Sequence, residues 1–111
     1  MTISYPMSKM KVLLLESVHP VAVEDLKSGG YQVETVSDAL DEDELAKKIK
    51  DVSILGIRSK SRVTAKVLGQ AEKLLAVGAF CIGTEQIDLE ACDKRGVAVF
   101  NAPLHLVKLY F

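Results

Sequence analysis

The sequence predicts an α/β fold: a flavodoxin-like five-stranded parallel sheet with helices on both faces. Five short apolar stretches begin at positions 11, 31, 52, 74 and 97, so each gap is long enough for a crossover helix. Residues typical of helix ends stand in the gaps. Strict alternation of strand and helix favours right-handed crossovers and, most simply, the strand order 2-1-3-4-5.

The apolar stretches differ in how continuous they are. Those at 11–15, 52–57, 74–80 and 97–100 are nearly unbroken in apolar residues, which is typical of parallel strands covered on both faces. The stretch at 31–36 alternates between apolar and polar residues, which indicates an edge strand.

Each gap between the strands contains residues that begin or end helices. Asp41 and Glu44 form a capping box, Thr64 and Asp88 are N-cap residues, and Pro20 suits a first turn. The charged residues of the second helix are interpreted as a solvated face, so no binding is inferred from them. The predicted helices run from His19-Pro20 to Gly29-Gly30, from Asp41 to Lys50, from Thr64 to about Lys73, and from Asp88 to a C′ glycine, Gly96.

The composition indicates one soluble domain. The 111 residues are 49% hydrophobic and 26% charged, and this length suits a single domain. The formal net charge of -1 gives no overall attraction to nucleic acid or to an acidic membrane, so neither is expected as a partner. Residues 1–10 lack the apolar segment of a signal peptide, and a cytoplasmic protein is expected.

The cysteines and histidines do not predict a metal site. Cys81 and Cys92 are far from His19 and His105 along the chain, so neither a zinc site nor a disulfide scaffold is expected. Cys81 is interpreted as a small buried residue, with a nucleophile as the alternative. His19 is interpreted as a residue of a helix start rather than as a catalytic group.

Cationic and hydroxyl side chains follow the third strand, at Arg58, Ser59 and Lys60. Open α/β sheets bind ligands beyond the carboxyl ends of their strands, near the switch in strand order. Arg58 could grip a carboxylate or phosphate through two parallel hydrogen bonds, with Ser59 as a second donor and Lys60 as a point charge. The alternative is a solvated loop that is basic without binding anything.

The fourth strand leads into a turn at Cys81, Ile82 and Gly83. Gly83 allows a close approach of backbone to a ligand, and successive N–H groups of such a turn can bind an anion. The alternative is a simple tight turn. Because the sequence contains no G-x-G-x-x-G motif, the usual pyrophosphate cradle is not predicted.

Five short motifs resemble a known family. They are Ile57-Arg58-Ser59-Lys60, Phe80-Cys81-Ile82-Gly83-Thr84, Ile87-Asp88-Leu89-Glu90-Ala91, Lys94-Arg95-Gly96 and Val99-Phe100-Asn101-Ala102-Pro103. Together they resemble the N-terminal substrate-binding segment of the D-isomer-specific 2-hydroxyacid dehydrogenases, and among these the 3-phosphoglycerate dehydrogenases of serine biosynthesis. The resemblance implies an N-terminal extension at 1–10, a substrate-binding domain segment at 11–103 and a divergent apolar tail at 104–111.

The resemblance also implies ligands and site residues. The family oxidises the C2 hydroxyl of its substrate with NAD, so it implies a small anionic substrate, 3-phosphoglycerate or a related 2-hydroxy acid. In such enzymes the matching Arg-Ser pair and the basic residue after it contact anionic groups, and the N–H groups of the matching turn meet the carboxylate. The substrate-binding residues implied here are Arg58, Ser59, Lys60, Cys81, Ile82 and Gly83.

The sequence departs from the family at two places. After Pro103 the family continues through Phe-Ser-Asn into a nucleotide-binding domain that contains its catalytic Arg, Glu and His. This chain instead continues with its apolar tail. We therefore expect no catalytic residue, no cofactor-binding residue and no activity for this chain alone. Glu85 stands where family members usually have Asn, which brings a carboxylate close to the expected anion site.

Two functions stay open from the sequence. In the first, the chain is the substrate-binding segment of an NAD-dependent phosphoglycerate dehydrogenase. In the second, it is a stand-alone module that binds an anion or a partner, such as a full-length dehydrogenase. The tail at 104–111 is expected to pack back onto the domain or to associate with a second copy.

Overall fold

A single parallel sheet organises the chain. The computed structural model describes residues 9–18, 20–81 and 83–101, and the predictions for 1–8 of the N-terminal extension, His19, Ile82 and 104–111 lie outside these residues. The sheet has five strands in the order β2-β1-β3-β4-β5, so the predicted fold class and strand order are confirmed. The strands are β1 (Lys11–Leu14), β2 (Gln32–Thr35), β3 (Ile54–Ile57), β4 (Ala76–Ala79) and β5 (Ala98–Asn101).

Each crossover between successive strands contains one α-helix. Parallel pairing places β1 between β2 and β3, where Leu13 lies opposite Glu34 on one side and Leu55 on the other. The helices are α1 (Pro20–Ser28), α2 (Glu42–Lys48), α3 (Ala65–Gln70) and α4 (Leu89–Lys94), and a 3-10 turn (Ile49–Asp51) extends α2.

The predicted capping residues begin and end these helices. Asp41 accepts the N–H of Glu44 at 2.8 Å while the Glu44 side chain accepts the N–H of Asp41 at 3.3 Å, which completes the capping box. Thr64 and Asp88 each accept the N–H three residues later and so begin α3 and α4. Gly96 has φ 70°, the left-handed conformation that a C′ residue takes.

Two sequence predictions about the elements are wrong. α3 ends at Gln70 rather than near Lys73, because Ala71 takes extended backbone angles and the chain turns there toward β4. The apolar stretch of β5 predicts cover on both faces, yet its residues are exposed or half-buried, and Phe100 is 40% exposed. The sequence alone therefore does not distinguish an apolar edge strand from a strand that is covered on both faces.

The two faces of the sheet are covered unequally. On one face Leu13, Leu55 and Val77 are fully buried in a core completed by α2, α3 and α4. On the other face a smaller cluster around Val12 and Leu14 packs against α1. Beside α1 lies an apolar cavity of about 370 Å³, which includes in its lining Leu14, Ile54, Gly56, Gly78, Phe80 and Phe100.

The part of the chain that the structure describes contains neither a membrane-spanning helix nor a cluster of metal-ligating side chains. None of its helices has the length and the apolar character that a membrane span requires. Its His, Cys, Asp and Glu side chains form no group of three that could hold a metal ion.

Candidate functional site

The switch point of the sheet lies between β1 and β3, and a polar cavity opens at the carboxyl ends of these strands. Glu16 comes two residues after β1, and Arg58 comes directly after β3. Their loops meet the loop that follows β2, and the three loops enclose about 290 Å³. The lining residues are Glu16, Ser37, Asp38, Ala39, Arg58, Ser59 and Lys60.

The carboxylate of Glu16 is the centre of this arrangement. The side chain is buried, with 8% of its surface exposed. Its Oε2 accepts the backbone N–H of Arg58 at 2.9 Å and that of Ser61 at 3.0 Å, and its Oε1 accepts the N–H of Lys60 at 2.8 Å. The loop after β3 is therefore wrapped around an acid that comes from β1.

These contacts determine the charge state of Glu16. Burial raises the pKa of its carboxyl, but the Ser61 hydroxyl and the N–H groups of Lys60, Arg58 and Ser61 lower it more, and the net pKa lies below its usual 4.5. The Ser61 hydroxyl has no hydrogen-bond partner of good geometry among the described residues, so we assign the lowering mainly to the three N–H donors. Glu16 is thus an ionised buried acid whose charge is compensated by backbone dipoles.

An unusual backbone conformation brings this carboxylate under the loop. Glu16 has φ 61° and Ser17 has φ 53°, both in the left-handed region that favours glycine. Each such residue costs about 1–3 kcal/mol unless its surroundings compensate. The Glu16 N–H donates to the carbonyl of Asp38 at 3.3 Å, and the Ser17 hydroxyl donates to the carbonyl of Ser37 at 3.3 Å, so the turn is anchored to the loop after β2.

Gln86 joins the two loops that contain the predicted site residues. Its side chain is buried, and its Nε2 donates to the carbonyl oxygen of Arg58 at 2.8 Å and to the Sγ of Cys81 at 3.2 Å. The backbone carbonyl of Gln86 accepts the N–H of Val63 at 2.9 Å, beside the isolated bridge between Val63 and Ile87. The carboxyl ends of β3 and β4 are therefore connected by one amide side chain.

The turn after β4 has a neighbouring carboxylate, as the sequence predicts. Cys81 is half-buried rather than buried, and its Sγ donates to the carbonyl of Gly83 at 3.1 Å. A Cβ atom at Gly83 would lie 2.5 Å from Oε2 of Glu85, so the Glu85 carboxylate lies against the glycine. An anion at this turn would meet that negative charge.

The structure brings the predicted site residues together in two sets. Arg58, Ser59 and Lys60 line one cavity, with Arg58 half-buried and the other two exposed. Cys81 and Gly83 lie at the end of the neighbouring strand and are not part of that lining. Ile82 is outside the described residues. Gln86 links the sets through its side-chain hydrogen bonds to Arg58 and Cys81, beside the ladder between β3 and β4.

Sequence reasoning did not identify Glu16, Asp38 or Gln86 as residues of this site. For Glu16 a signal exists: an acid that closely follows a fully apolar strand at the expected switch point is unusual, since buried acids need partners. Gln86 gives no comparable signal, because its partners lie in two other loops. Chemically, the cavity offers two cations and two acids, and the charge of one acid, Glu16, is already compensated by hydrogen bonds.

Residues 12–107 match the model of the D-isomer specific 2-hydroxyacid dehydrogenase catalytic domain. The chain belongs to the D-isomer specific 2-hydroxyacid dehydrogenases. The match covers both sets of predicted site residues and all of the sheet except Lys11, so the resemblance inferred from the short motifs is confirmed.

Curated relatives within this family are D-3-phosphoglycerate dehydrogenases. The enzyme of Dictyostelium discoideum is 53% identical over 102 residues, which are 92% of this chain and 25% of that protein. The enzyme of Escherichia coli K12 is 47% identical over 102 residues, 91% of this chain and 25% of that protein. The chain thus spans about a quarter of the length of these relatives.

Solved structures of similar fold confirm the architecture. A protein of Pyrococcus horikoshii superposes with a TM-score of 0.78 and 29% identity, over 84% of this chain and 27% of that one. The NAD+-bound 3-phosphoglycerate dehydrogenase of Entamoeba histolytica superposes with a TM-score of 0.74 over 86% of this chain and 33% of that one. At 24% identity, the second match supports the fold alone.

Proposed function

We propose that the chain is the substrate-binding part of an NAD-dependent D-3-phosphoglycerate dehydrogenase. The observation that favours this function is that Arg58, Ser59 and Lys60, which the family resemblance implies as ligands, line one polar cavity at the switch point. In the proposed complex the Arg58 guanidinium binds a phosphate or carboxylate of 3-phosphoglycerate. Ser59 donates a hydrogen bond, and Lys60 adds a positive charge.

The turn after β4 is proposed to bind the substrate's carboxylate. Here the donors are backbone N–H groups of Cys81, Ile82 and Gly83, as the resemblance implies. Glu85 opposes this binding, because its carboxylate lies against Gly83. We therefore propose that the basic loop contributes more to the affinity than the turn does.

The residues of this chain do not fit the nicotinamide cofactor. The sequence lacks the glycine motif that places pyrophosphate on a helix N-terminus. We assign no cofactor-binding residue and no catalytic residue to the 111 residues, and we propose substrate binding rather than oxidation as their own activity.

Thermal unfolding with added 3-phosphoglycerate tests this function, because a ligand of the native state raises the melting temperature. At ten times the dissociation constant, binding adds about 1.4 kcal/mol to the free energy of unfolding, or about 6 °C in Tm for a chain of this size. The controls are glycerol at the same concentration as 3-phosphoglycerate and sodium chloride at the same ionic strength. If 3-phosphoglycerate shifts the Tm no further than these controls do, the proposed function is wrong.

A second candidate function is self-association through the face of the sheet beside α1. One observation favours it: the 40% exposed ring of Phe100 adjoins the apolar cavity on an edge strand. A net charge of -1 gives two copies little mutual repulsion. Sedimentation velocity over a range of concentrations tests it. A monomer at every concentration, or association unchanged by Phe100→Ser, would exclude this surface.

A further inference from the structure

The loop that contains Arg58 is held by two side chains from other loops, those of Glu16 and Gln86. Its N–H groups at positions 58, 60 and 61 donate to the Glu16 carboxylate, at 2.8 to 3.0 Å. The Arg58 carbonyl accepts a hydrogen bond from Nε2 of Gln86 at 2.8 Å. Both polar backbone groups of Arg58 are therefore used, which restricts rotation of the backbone from which its guanidinium extends.

We propose that Glu16 is a positioning residue that orients Arg58 for anion binding. The inference rests on the proposed function and goes beyond it, since it assigns a role to an acid in a site that should bind an anion. An acid there would ordinarily weaken the ligand through repulsion. Here its charge is compensated by three N–H groups, so its effect on the loop geometry exceeds its effect on the ligand.

Backbone strain at the same position supports this role. Glu16 and Ser17 both adopt left-handed angles, at φ 61° and 53°, although glycine would take them without cost. A glycine at position 16 would relieve the strain but would remove the acceptor of the N–H groups of Arg58, Lys60 and Ser61, and Ser61 is buried. The acid in this strained conformation is therefore explained by its contacts with the loop.

The way in which the N–H groups of the loop after β3 are used affects how this site recognises an anion. In many anion sites, successive backbone N–H groups bind the ligand directly. In the loop after β3 the three N–H groups point to Glu16 and are saturated, so this loop binds the ligand through the side chains of Arg58, Ser59 and Lys60. Anion affinity should then depend strongly on where Arg58 is held, and Glu16 determines that through the loop.

A double-mutant cycle in the 111-residue chain tests the role. Dissociation constants for 3-phosphoglycerate are measured at one fixed salt concentration for the unmodified chain, Glu16→Gln, Arg58→Ala and the double variant. Glutamine keeps the size of glutamate but has one acceptor oxygen instead of two. We expect Glu16→Gln to weaken binding roughly tenfold, within the range found for coupled neighbours, and to weaken it less than about twofold once Arg58 is absent.

The matched control is Glu34→Gln, which makes the same chemical change on β2, away from the cavity. Glu34 forms ion pairs with Lys11 at 3.1 Å and Lys48 at 2.5 Å, so its loss can lower stability without touching the site. All titrations are run well below the melting temperature of every variant. Weakening by Glu34→Gln equal to that by Glu16→Gln would show a general effect of stability and overturn the proposal.

A ligand-free readout separates this inference from the proposed function. In nuclear magnetic resonance spectra, Glu16→Gln should shift the amide resonances of Arg58, Lys60 and Ser61 and increase the mobility of the Arg58 Nε–H group. Unchanged Arg58 mobility overturns the positioning role, whether or not 3-phosphoglycerate binds. If the unmodified chain binds no 3-phosphoglycerate while Arg58 mobility rises as expected, the proposed function fails and the positioning of Arg58 stands.

The dependence on the Arg58 side chain is the decisive comparison in the cycle. Equal weakening by Glu16→Gln in the presence and absence of the Arg58 side chain would show that Glu16 does not act through Arg58, and would overturn the proposal. If Glu16→Gln does not fold, Glu16→Asp replaces it in the same cycle. Aspartate keeps the charge but is one methylene shorter, so it should lose part of the loop contacts and show the same dependence on Arg58.

Discussion

The side-chain amide of Gln86 donates a 2.8 Å hydrogen bond to the carbonyl oxygen of Arg58, 28 positions earlier in the chain. The same nitrogen lies 3.2 Å from the Sγ of Cys81. The end of β3 and the end of β4 are joined by this contact as well as by their ladder. Substitution of Gln86 should therefore affect the stability and the site together.

Replacing Gln86 with alanine should lower the free energy of unfolding by about 1–3 kcal/mol, because the half-buried Arg58 carbonyl loses its donor. Urea denaturation followed by circular dichroism measures the change. Gln70→Ala, at the exposed end of α3, is the matched control and should change stability by less than about 0.5 kcal/mol. Equal effects of the two substitutions would contradict this account.

Arg58→Ala should weaken binding of 3-phosphoglycerate more than Arg62→Ala does. Both substitutions remove one positive charge, but only Arg58 lines the cavity, and Arg62 is exposed beyond it. A guanidinium that makes charge-assisted hydrogen bonds contributes about 1.5–3 kcal/mol, whereas a distant exposed charge is screened. Isothermal titration at one salt concentration compares them, and equal losses would refute the assignment of Arg58.

Asp38→Asn should strengthen anion binding. Asp38 is an exposed acid that lines the same cavity as Arg58 and Lys60, and its charge repels an anion there. Removing it should lower the dissociation constant severalfold at low salt, with a smaller gain at high salt because of screening. Asp25→Asn, outside this cavity lining, is the control. A gain that is the same for both variants would indicate a change of net charge only.

Stability should fall with acid in a way that depends on Glu16. Its pKa is below 4.5 in the folded chain, so ionisation of Glu16 favours folding. This contribution is fully present above about pH 4.5, the unfolded value, and is lost as the pH falls through the lower folded pKa. Urea midpoints between pH 7 and pH 3 should therefore decline less steeply for Glu16→Gln. Parallel curves for the two proteins would show that Glu16 does not titrate as proposed.

Alanine at two glycines should have opposite effects on stability. A Cβ at Gly56 would lie 2.5 Å from Cδ2 of Leu14 and 3.0 Å from Cε2 of Phe80, so Gly56→Ala should destabilise the chain by about 1–3 kcal/mol. Gly69 lies within α3 with nothing near its Cβ position, so Gly69→Ala should stabilise by about 0.5–1 kcal/mol. Thermal unfolding of both variants decides the signs.

The architecture could be predicted because its determinants are local in sequence. Asp41, Thr64 and Asp88 cap the helices that follow them, and each cap needs only the next three residues. The ends of helices and strands that depend on tertiary contacts were predicted less accurately. The end of α3 is set where buried Leu74 must reach the core, and no local pattern near Lys73 signals that requirement.

The candidate site was only partly predictable for the same reason. Arg58 could be singled out because it directly follows an apolar strand. Glu16 binds N–H groups 42 to 45 positions away, from a left-handed backbone that no residue preference at this position indicates. Gln86 likewise makes its contacts across two loops. Residues whose role is to hold other loops in place become visible only in the folded chain.

The unequal cover of the sheet has a consequence for how the domain opens. β1 is paired on both sides and lies beneath helices on both faces, whereas β5, among the described residues, is paired only with β4 and presents Phe100 to water. Regions with few buried apolar contacts open at a lower free energy than the global transition. Excursions that detach β5 should therefore be more frequent than those that separate β1 from β3. The switch point would then stay assembled during most local openings, because its two strands belong to the half of the sheet that opens last.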